Sequence, residues 1–250
     1  MASINRVNLA GNLAADPEMA HTPDGTPVAK FGLAVGRPGK DSGADFFTVV
    51  VWRGLAEAVA ENKKKGDAVA IEGRIDHSSY EDGAGNKRSR TRIVAHDVQF
   101  LDSSGGGLNR VILLGNLTRD PETKRVTVGD VEGVPVANFG LAMSRVRSQK
   151  EDAADFVDVD CWRELGEIVQ ANKGKGHGVL VTGRLAHDRW KNGQGEARSK
   201  VKVVADAVQF TTTGRGKAGA GANGRIHRGS AGKEGTADTQ KKQYRSRYSN

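Results

Sequence analysis

Aromatic side chains stand at matched positions on two strand-like segments of the sequence. Alternation along the first segment puts Phe46 and Trp52 on one face of a β-strand, and the second segment puts Phe156 and Trp162 on the corresponding face. An exposed aromatic ring can stack on any nucleobase, because every base has a π face. Together with cations that follow a phosphate backbone, such rings favour binding of an unpaired nucleic-acid strand.

Cationic side chains recur at every second position of two later segments. They are Arg88, Arg90 and Arg92 in the first segment, and Arg198, Lys200 and Lys202 in the second. A period of two places them on one face of a strand. A run of charge is usually only a solvated surface, but its repetition in two segments favours contact with phosphates.

The chain contains two copies of one sequence pattern. The motif Asn-Arg-Val-x-Leu-x-Gly-Asn-Leu occupies residues 5–13 and returns at residues 109–117. Later matches are displaced by 108 and then by 110 residues, as short insertions in loops would produce. A period of about 100 residues indicates duplicated domains rather than a solenoid. We therefore expect one domain at residues 1–104 and a second at residues 105–213.

Each copy has the pattern of a small β-barrel. Runs rich in β-branched and aromatic residues predict three strands, a short helix begins near Leu55 or Leu165, and two more strands follow. A partly open five-stranded barrel of this size is most often an OB-fold. The predicted fold class is all-β, with two tandem OB-folds that each carry one short helix.

Most of the net charge lies in the C-terminal segment. Residues 214–250 hold nine Lys or Arg and two acidic residues, which gives +7 of the formal net charge of +8. The segment has almost no apolar residues to bury, so we expect a disordered basic tail. The tail has two candidate roles, as a tether that binds phosphate or as a peptide that docks on a partner protein.

Two further features limit the class of protein. Cys161 is the single cysteine, so an internal disulfide is excluded and we interpret this residue as buried. No run of about 18 apolar residues is present, as a membrane span would require. We therefore expect a cytoplasmic, nucleoid-associated protein with no membrane partner.

The two motifs at residues 5–13 and 109–117, the Asp-Pro-Glu segments at 16–18 and 120–122, and the strand that leads to Trp52-Arg53-Gly54 resemble the bacterial single-stranded DNA-binding protein family in its tandem two-OB-fold form. The resemblance implies a protein that coats single-stranded DNA with little sequence preference during replication, recombination and repair. It implies a homodimer with four folds, no cofactor and no enzymatic activity. We expect the chain to lack the family's acidic C-terminal tip, which recruits other proteins.

The resemblance also assigns site residues. It maps stacking aromatics onto Phe46, Trp52, Phe156 and Trp162, and onto two hairpin residues, Tyr80 and Trp190. Four cations on the first strands and before later strands are further candidates for phosphate contact: Arg6, Arg110, Lys65 and Lys175.

Several alternatives remain open on the sequence. Phe46 and Trp52 could belong to the core, and the whole chain could be an RNA-binding or accessory replication-restart module of the same fold. Asp158 and Asp160 fall on the face assigned to DNA, where unpaired carboxylates would repel phosphate. With Asp155 they could instead form a metal site, although no histidine or second acidic cluster accompanies them.

Overall fold

A computed structural model describes residues 3–37, 43–81, 83, 85, 87–103, 106–145, 153–191, 195, 197–211 and 225–227. The first copy of the repeat consists of β1 (Ile4–Leu13), β2 (Glu18–His21), β3 (Pro27–Gly36), β4 (Ala44–Trp52), α1 (Gly54–Asn62), β5 (Ala68–Glu81) and β6 (Lys87–Leu101). The second copy consists of β7 (Asn109–Leu117), β8 (Glu122–Val128), β9 (Val131–Ser144), β10 (Ala154–Trp162), α2 (Glu164–Asn172), β11 (Gly178–Lys191) and β12 (Ala197–Phe210), and β13 (Arg225–His227) follows it. Within these residues, neither helix has the length and apolar character that a membrane crossing requires.

Each copy forms a barrel that its first strand closes. In the first copy, β1 pairs with β5 through residues 7–12 and with β3 at Asn12 and Leu13. The sheet continues from β3 to β4, then in parallel to β6, and back to β5. Gly11 allows this closure, because a Cβ there would lie 2.1 Å from the carbonyl oxygen of Ala34. The second copy repeats the arrangement, so the prediction of two OB-folds with one helix each is confirmed.

Alternation along β4 and β10 fills the two cores. Phe47, Val49 and Val51 point inward and are buried. Phe46 precedes Phe47 on the same strand, so it points outward and is exposed. In the second copy Cys161 is buried at the position of Val51, and burial raises the pKa of its thiol to about 12. The cysteine is thus a core residue, as the sequence predicts.

The structure has three strands that the sequence does not predict. Strand β2 is exposed along its whole length and β8 along most of it, so neither shows an apolar period of two. Strand β13 falls in the segment that the sequence assigns to a disordered tail, where it pairs with the end of β12. The remainder of the predicted tail lies outside the described residues.

The two folds share one sheet. Residues 4–9 of β1 pair antiparallel with residues 109–114 of β7, and Val7 lies opposite Val111, its equivalent in the other copy. The interface therefore has a pseudo-two-fold axis, and the hydrogen-bonded sheet runs from β2 at one edge to β8 at the other. The glycine-rich stretch between the copies connects two folds that are already paired.

Asparagines of the repeated motif hold this junction in place. The side-chain amide of Asn5 donates to the carbonyl of Ile75 at 2.8 Å, and its oxygen accepts from the backbone N–H of the same residue at 2.9 Å. Asn109 makes the same pair of hydrogen bonds with Leu185. These contacts explain why each motif begins with an asparagine.

Two buried aspartates seal the contact between the folds. Asp155 of the second fold is 2% exposed and accepts hydrogen bonds from Nε of Arg145 at 3.0 Å and from the backbone N–H of His77, across the interface, at 3.1 Å. Its counterpart Asp45 accepts from Arg37 at 2.8 Å and from the backbone N–H of His187 at 3.4 Å. Each fold thus contributes a carboxylate that binds the other.

Replacing Asp155 tests this interface. Asp155→Ala leaves the backbone N–H of His77 without its acceptor and removes one partner of Arg145, which keeps its ion pair with Asp76, so we predict that the free energy of unfolding falls by about 1–3 kcal/mol. Glu18→Ala removes one partner of the exposed Lys30–Glu18 ion pair and should cost less than about 1 kcal/mol. Urea unfolding at neutral pH measures both variants, and equal losses would show that Asp155 does not hold the folds together.

Candidate nucleic-acid interface

A groove of about 540 Å³ opens between the two folds. Six pairs of equivalent residues line it, each pair separated by 110 positions, and three of these pairs are Phe46 and Phe156, His77 and His187, and Arg90 and Lys200. We call it the inter-fold groove. Because its walls are related by the pseudo-two-fold axis, it is formed only when β1 and β7 bring the folds together.

The aromatic residues on the outer faces of β4 and β10 are accessible. Phe46 is 41% exposed, Trp52 is 37% exposed and Phe156 is 46% exposed, whereas Trp162 is half-buried. The alternative that Phe46 and Trp52 belong to the core is therefore wrong. The two phenylalanines line the groove, and the two tryptophans lie at the far ends of the same strands.

Histidine and phenylalanine meet across the interface. The ring of His77 in the first fold packs edge-on against Phe156 of the second fold, with centroids 6.3 Å apart. Burial lowers the pKa of His77 below its ordinary value, although the charge of Asp155 opposes this effect. The imidazole is thus neutral at pH 7, and it supports the exposed ring of Phe156 without adding a cation.

The β5–β6 hairpin carries one stacked pair. The guanidinium of Arg90 lies 5.1 Å from the ring centroid of Tyr80, which is exposed. In the backbone register Tyr80 opposes Arg88, and in the second copy Trp190 opposes Arg198. The side chains of Arg88, Trp190 and Arg198 lie outside the described part of the chain.

At the inner positions of the predicted cationic face along β6 and β12, the cations are paired with carboxylates. Arg92 donates from Nε to Asp76 at 2.9 Å. Lys202 is only 18% exposed, and its Nζ lies 2.7 Å from Asp160 and also contacts Asp188. Arg92 thus balances the buried Asp76, and Lys202 balances the buried Asp160 and the exposed Asp188. The sequence period gives the face on which a charge lies, but it does not reveal the partner that neutralises it.

Asp158 and Asp160 are paired rather than bare. Arg119 donates to Asp158 at 2.7 Å, and Lys200 also forms an ion pair with this carboxylate. Burial raises the pKa of Asp158, but the hydrogen bonds and charges of Lys200 and Arg119 outweigh it and hold the pKa below its ordinary value. Asp158 is therefore ionised at neutral pH, and its charge is balanced within the groove.

The three aspartates that could have formed a metal site do not converge. Asp155 binds Arg145, Asp158 binds Arg119 and Lys200, and Asp160 binds Lys202. In the part of the chain that the structure describes, no group of three His, Cys, Asp or Glu residues could hold an ion.

The four remaining candidates lie away from the groove. Arg6 and Arg110 are exposed on β1 and β7, on the face opposite the buried valines. Lys65 and Lys175 are exposed in turns that follow the helices, where their backbone N–H groups donate to Asp16 and Asp120, each at 2.7 Å. The aspartate of the Asp-Pro-Glu motif thus fixes the turn that presents each lysine.

Sequence reasoning missed Arg119, which lines the groove and binds both Asn138 and Asp158. Nothing in the sequence indicated it, because Ala15 stands at the equivalent position of the first copy. Arg53 and Arg163, which follow the two tryptophans, have φ values of 58° and 57°. Such left-handed backbone in a residue other than glycine stores strain and recurs at functional sites.

Fold and groove together define a tandem OB-fold protein with aromatic and cationic side chains exposed where the folds meet. The model of the Single-strand binding protein family matches residues 4–101 and 108–211. The chain belongs to this family.

Several relatives span both folds. The single-stranded DNA-binding protein of Thermus aquaticus is 32% identical over 241 residues, covering 86% of this chain and 88% of its own. That of Deinococcus radiodurans is 31% identical and covers 87% and 79% of the two chains. The crystal structure of the wild-type Thermus aquaticus protein superposes with a TM-score of 0.69 at 31% identity, covering 88% of this chain and 98% of that one.

Removing the carboxylate of Asp158 tests whether it neutralises the cations of the groove. Asp158→Thr frees Arg119 and Lys200, so we predict tighter binding of oligo-dT at low salt and a slope of log affinity against log salt that is steeper by about 1–2. Asp160→Val is the matched control, because Lys202 keeps its ion pair with Asp188. Fluorescence titration at several salt concentrations gives both slopes, and indistinguishable slopes would contradict the proposed role of Asp158.

Proposed function

We propose that this chain binds and coats single-stranded DNA with little sequence preference during DNA replication, recombination and repair. The observation that carries the proposal is the inter-fold groove, which presents exposed aromatic rings of both folds beside cations. Membership of the single-strand binding protein family supports it, and so do the names of the relatives. The proposed activity is binding without catalysis, at the nucleoid in the cytoplasm.

In this proposal, bases stack on Phe46 and Phe156 while the phosphates pass the cations at the groove wall. Stacking tolerates any base, because it uses the π face and not the hydrogen-bonding edges. Duplex DNA would be excluded, since its bases are already stacked and have no free face to offer. Tyr80 with Arg90 extends the same surface along the first hairpin.

The two tryptophans extend the stacking surface to the far ends of β4 and β10. We predict that Trp52→Ala with Trp162→Ala weakens oligo-dT binding by about 1–3 kcal/mol per lost stack without unfolding the protein. Phe100→Ala is the control, because Phe100 is 42% exposed but lies on β6 beside Lys63 and not on β4 or β10, whose outer faces carry the proposed stacking surface. A folded double variant that binds like the wild type would place the tryptophans outside the site.

The same titration separates DNA from RNA. With oligo-dT and oligo-U of equal length in competition, the proposal expects the DNA strand to bind in preference. Equal or tighter binding of the RNA would favour the alternative of an RNA-binding or accessory module of this fold.

We propose a homodimer as the working assembly, because the family resemblance implies four folds and each chain supplies two. Light scattering of the DNA-free protein should then give twice the chain mass of 26.6 kDa. A monomer at micromolar concentration, or a stable tetramer of chains, would overturn this part of the proposal.

A further inference from the structure

An edge of the second fold carries an added strand from the tail. Strand β12 pairs with β10 only at residues 202–204, which leaves its end without a neighbour on that side. There β13 binds antiparallel, with Ala207 opposite His227, Val208 opposite Ile226 and Gln209 opposite Arg225. The tail thus supplies backbone hydrogen bonds to an edge that would otherwise be open.

The first fold has the same edge without that strand. Its equivalents lie 110 residues earlier, at Asp97, Val98 and Gln99 of β6. Strand β6 pairs with β4 only at Ile93 and Val94, and in the described part of the chain no strand pairs with residues 97–99 on that side.

Apolar side chains at this edge are more exposed in the first fold than in the second. Val208 is fully buried, whereas Val98 is only partly buried. Phe100 is 42% exposed, and its equivalent Phe210 is half-buried. An apolar strip is thus accessible on the first fold where the tail strand lies on the second.

Charge favours a basic strand at this open edge. Asp97 stands where the second fold has Ala207, and its neighbour on β5 is Glu72, where the second fold has Thr182. Both acidic side chains are exposed or half-exposed. The tail strand contains Arg225 and is followed directly by Arg228. Strand β13 pairs with the neutral edge of β12, but its basic residues are better matched in charge to the acidic edge of β6.

We propose that the edge at residues 97–99 of one copy accepts Arg225–His227 of a second copy as an added antiparallel strand. The register follows from the equivalent edge, so Asp97 lies opposite His227 and Gln99 opposite Arg225. Within one chain the short connection from β12 favours pairing with its own second fold. Exchange between copies occurs when the local concentration is high, as for neighbours bound along one DNA strand, and it links them edge to edge.

Engineered disulfides between copies test the contact. Residues directly opposite in an antiparallel pair have Cα atoms about 4.5–5.5 Å apart, which suits a disulfide. One full-length copy carries Gln99→Cys and the other carries Arg225→Cys. The native Cys161 does not compete, because it is buried and its thiol pKa is raised to about 12. Mild oxidation of the mixture should yield a mixed disulfide-linked pair, identified by mass.

Three controls make the result decisive. Gln209→Cys with Arg225→Cys in one chain should close within that chain and confirm the strand itself. Gln99→Cys mixed with an Ala222→Cys copy, whose cysteine lies outside the strand, should give little product. Adding Glu72→Thr and Asp97→Ala to the Gln99→Cys copy should lower the yield about threefold, as loss of exposed ion pairs predicts.

The yields show whether strand exchange between copies occurs and whether charge contributes to it. A yield for the 99/225 mixture no greater than that for the 99/222 mixture would overturn the exchange, whether or not the 209/225 pair closes. A strong 99/225 product that is insensitive to the acidic replacements would overturn the charge argument, while leaving the edge as the site of contact.

Discussion

The antiparallel pairing of β1 with β7 is the constraint on which the rest of the structure depends. It uses the first strand of each barrel, which would otherwise offer an open edge, and it joins two folds into one sheet. Asp45 and Asp155 strengthen this junction, because each carboxylate accepts a backbone N–H of the opposite fold. The inter-fold groove follows directly, since its walls come from both copies.

Duplication gave the two folds the same frame but different charge networks. In the first fold Asp76 binds Arg92, with Arg74 and Arg145 nearby, and these cations hold its pKa below the ordinary value against the effect of burial. The second fold has Ala186 at that position, and Lys202 turns to Asp160 and Asp188. A buried charge without a partner is costly, and in both copies the buried carboxylates Asp76 and Asp160 are each paired with a cation.

Much of the fold could be predicted from the sequence, because the signals that indicate it lie within short segments. The repeated motif, the period of two in β4 and β10 and the helical spacing after Trp52 are all short-range signals. They predict two OB-folds and place Phe46 on the outer face. The pairing of β1 with β7 could not be predicted, because an edge strand looks the same whether it is covered or open.

The site could be predicted only in part. Alternation identified the exposed phenylalanines, but the carboxylates that pair with Arg92 and Lys202 depend on the register of β6 and β12 with their neighbouring strands, which the period of the cations does not give. Arg119 has an alanine as its counterpart, so comparing the copies could not reveal it. Exposed aromatics are thus easier to predict than free charges, because burial is a property of one strand and charge balance is a property of several.

Both folds are proposed to contribute to one binding surface. Photo-crosslinking examines this with one short oligo-dT, of about 10 nucleotides, that carries a photoreactive base near each end. Single chains that carry the crosslink are separated under denaturing conditions. Digestion and mass spectrometry then identify the attached peptides. We expect a single oligonucleotide to link the peptide containing Phe46 to the peptide containing Phe156. Crosslinks from each oligonucleotide to one fold only would contradict a shared groove.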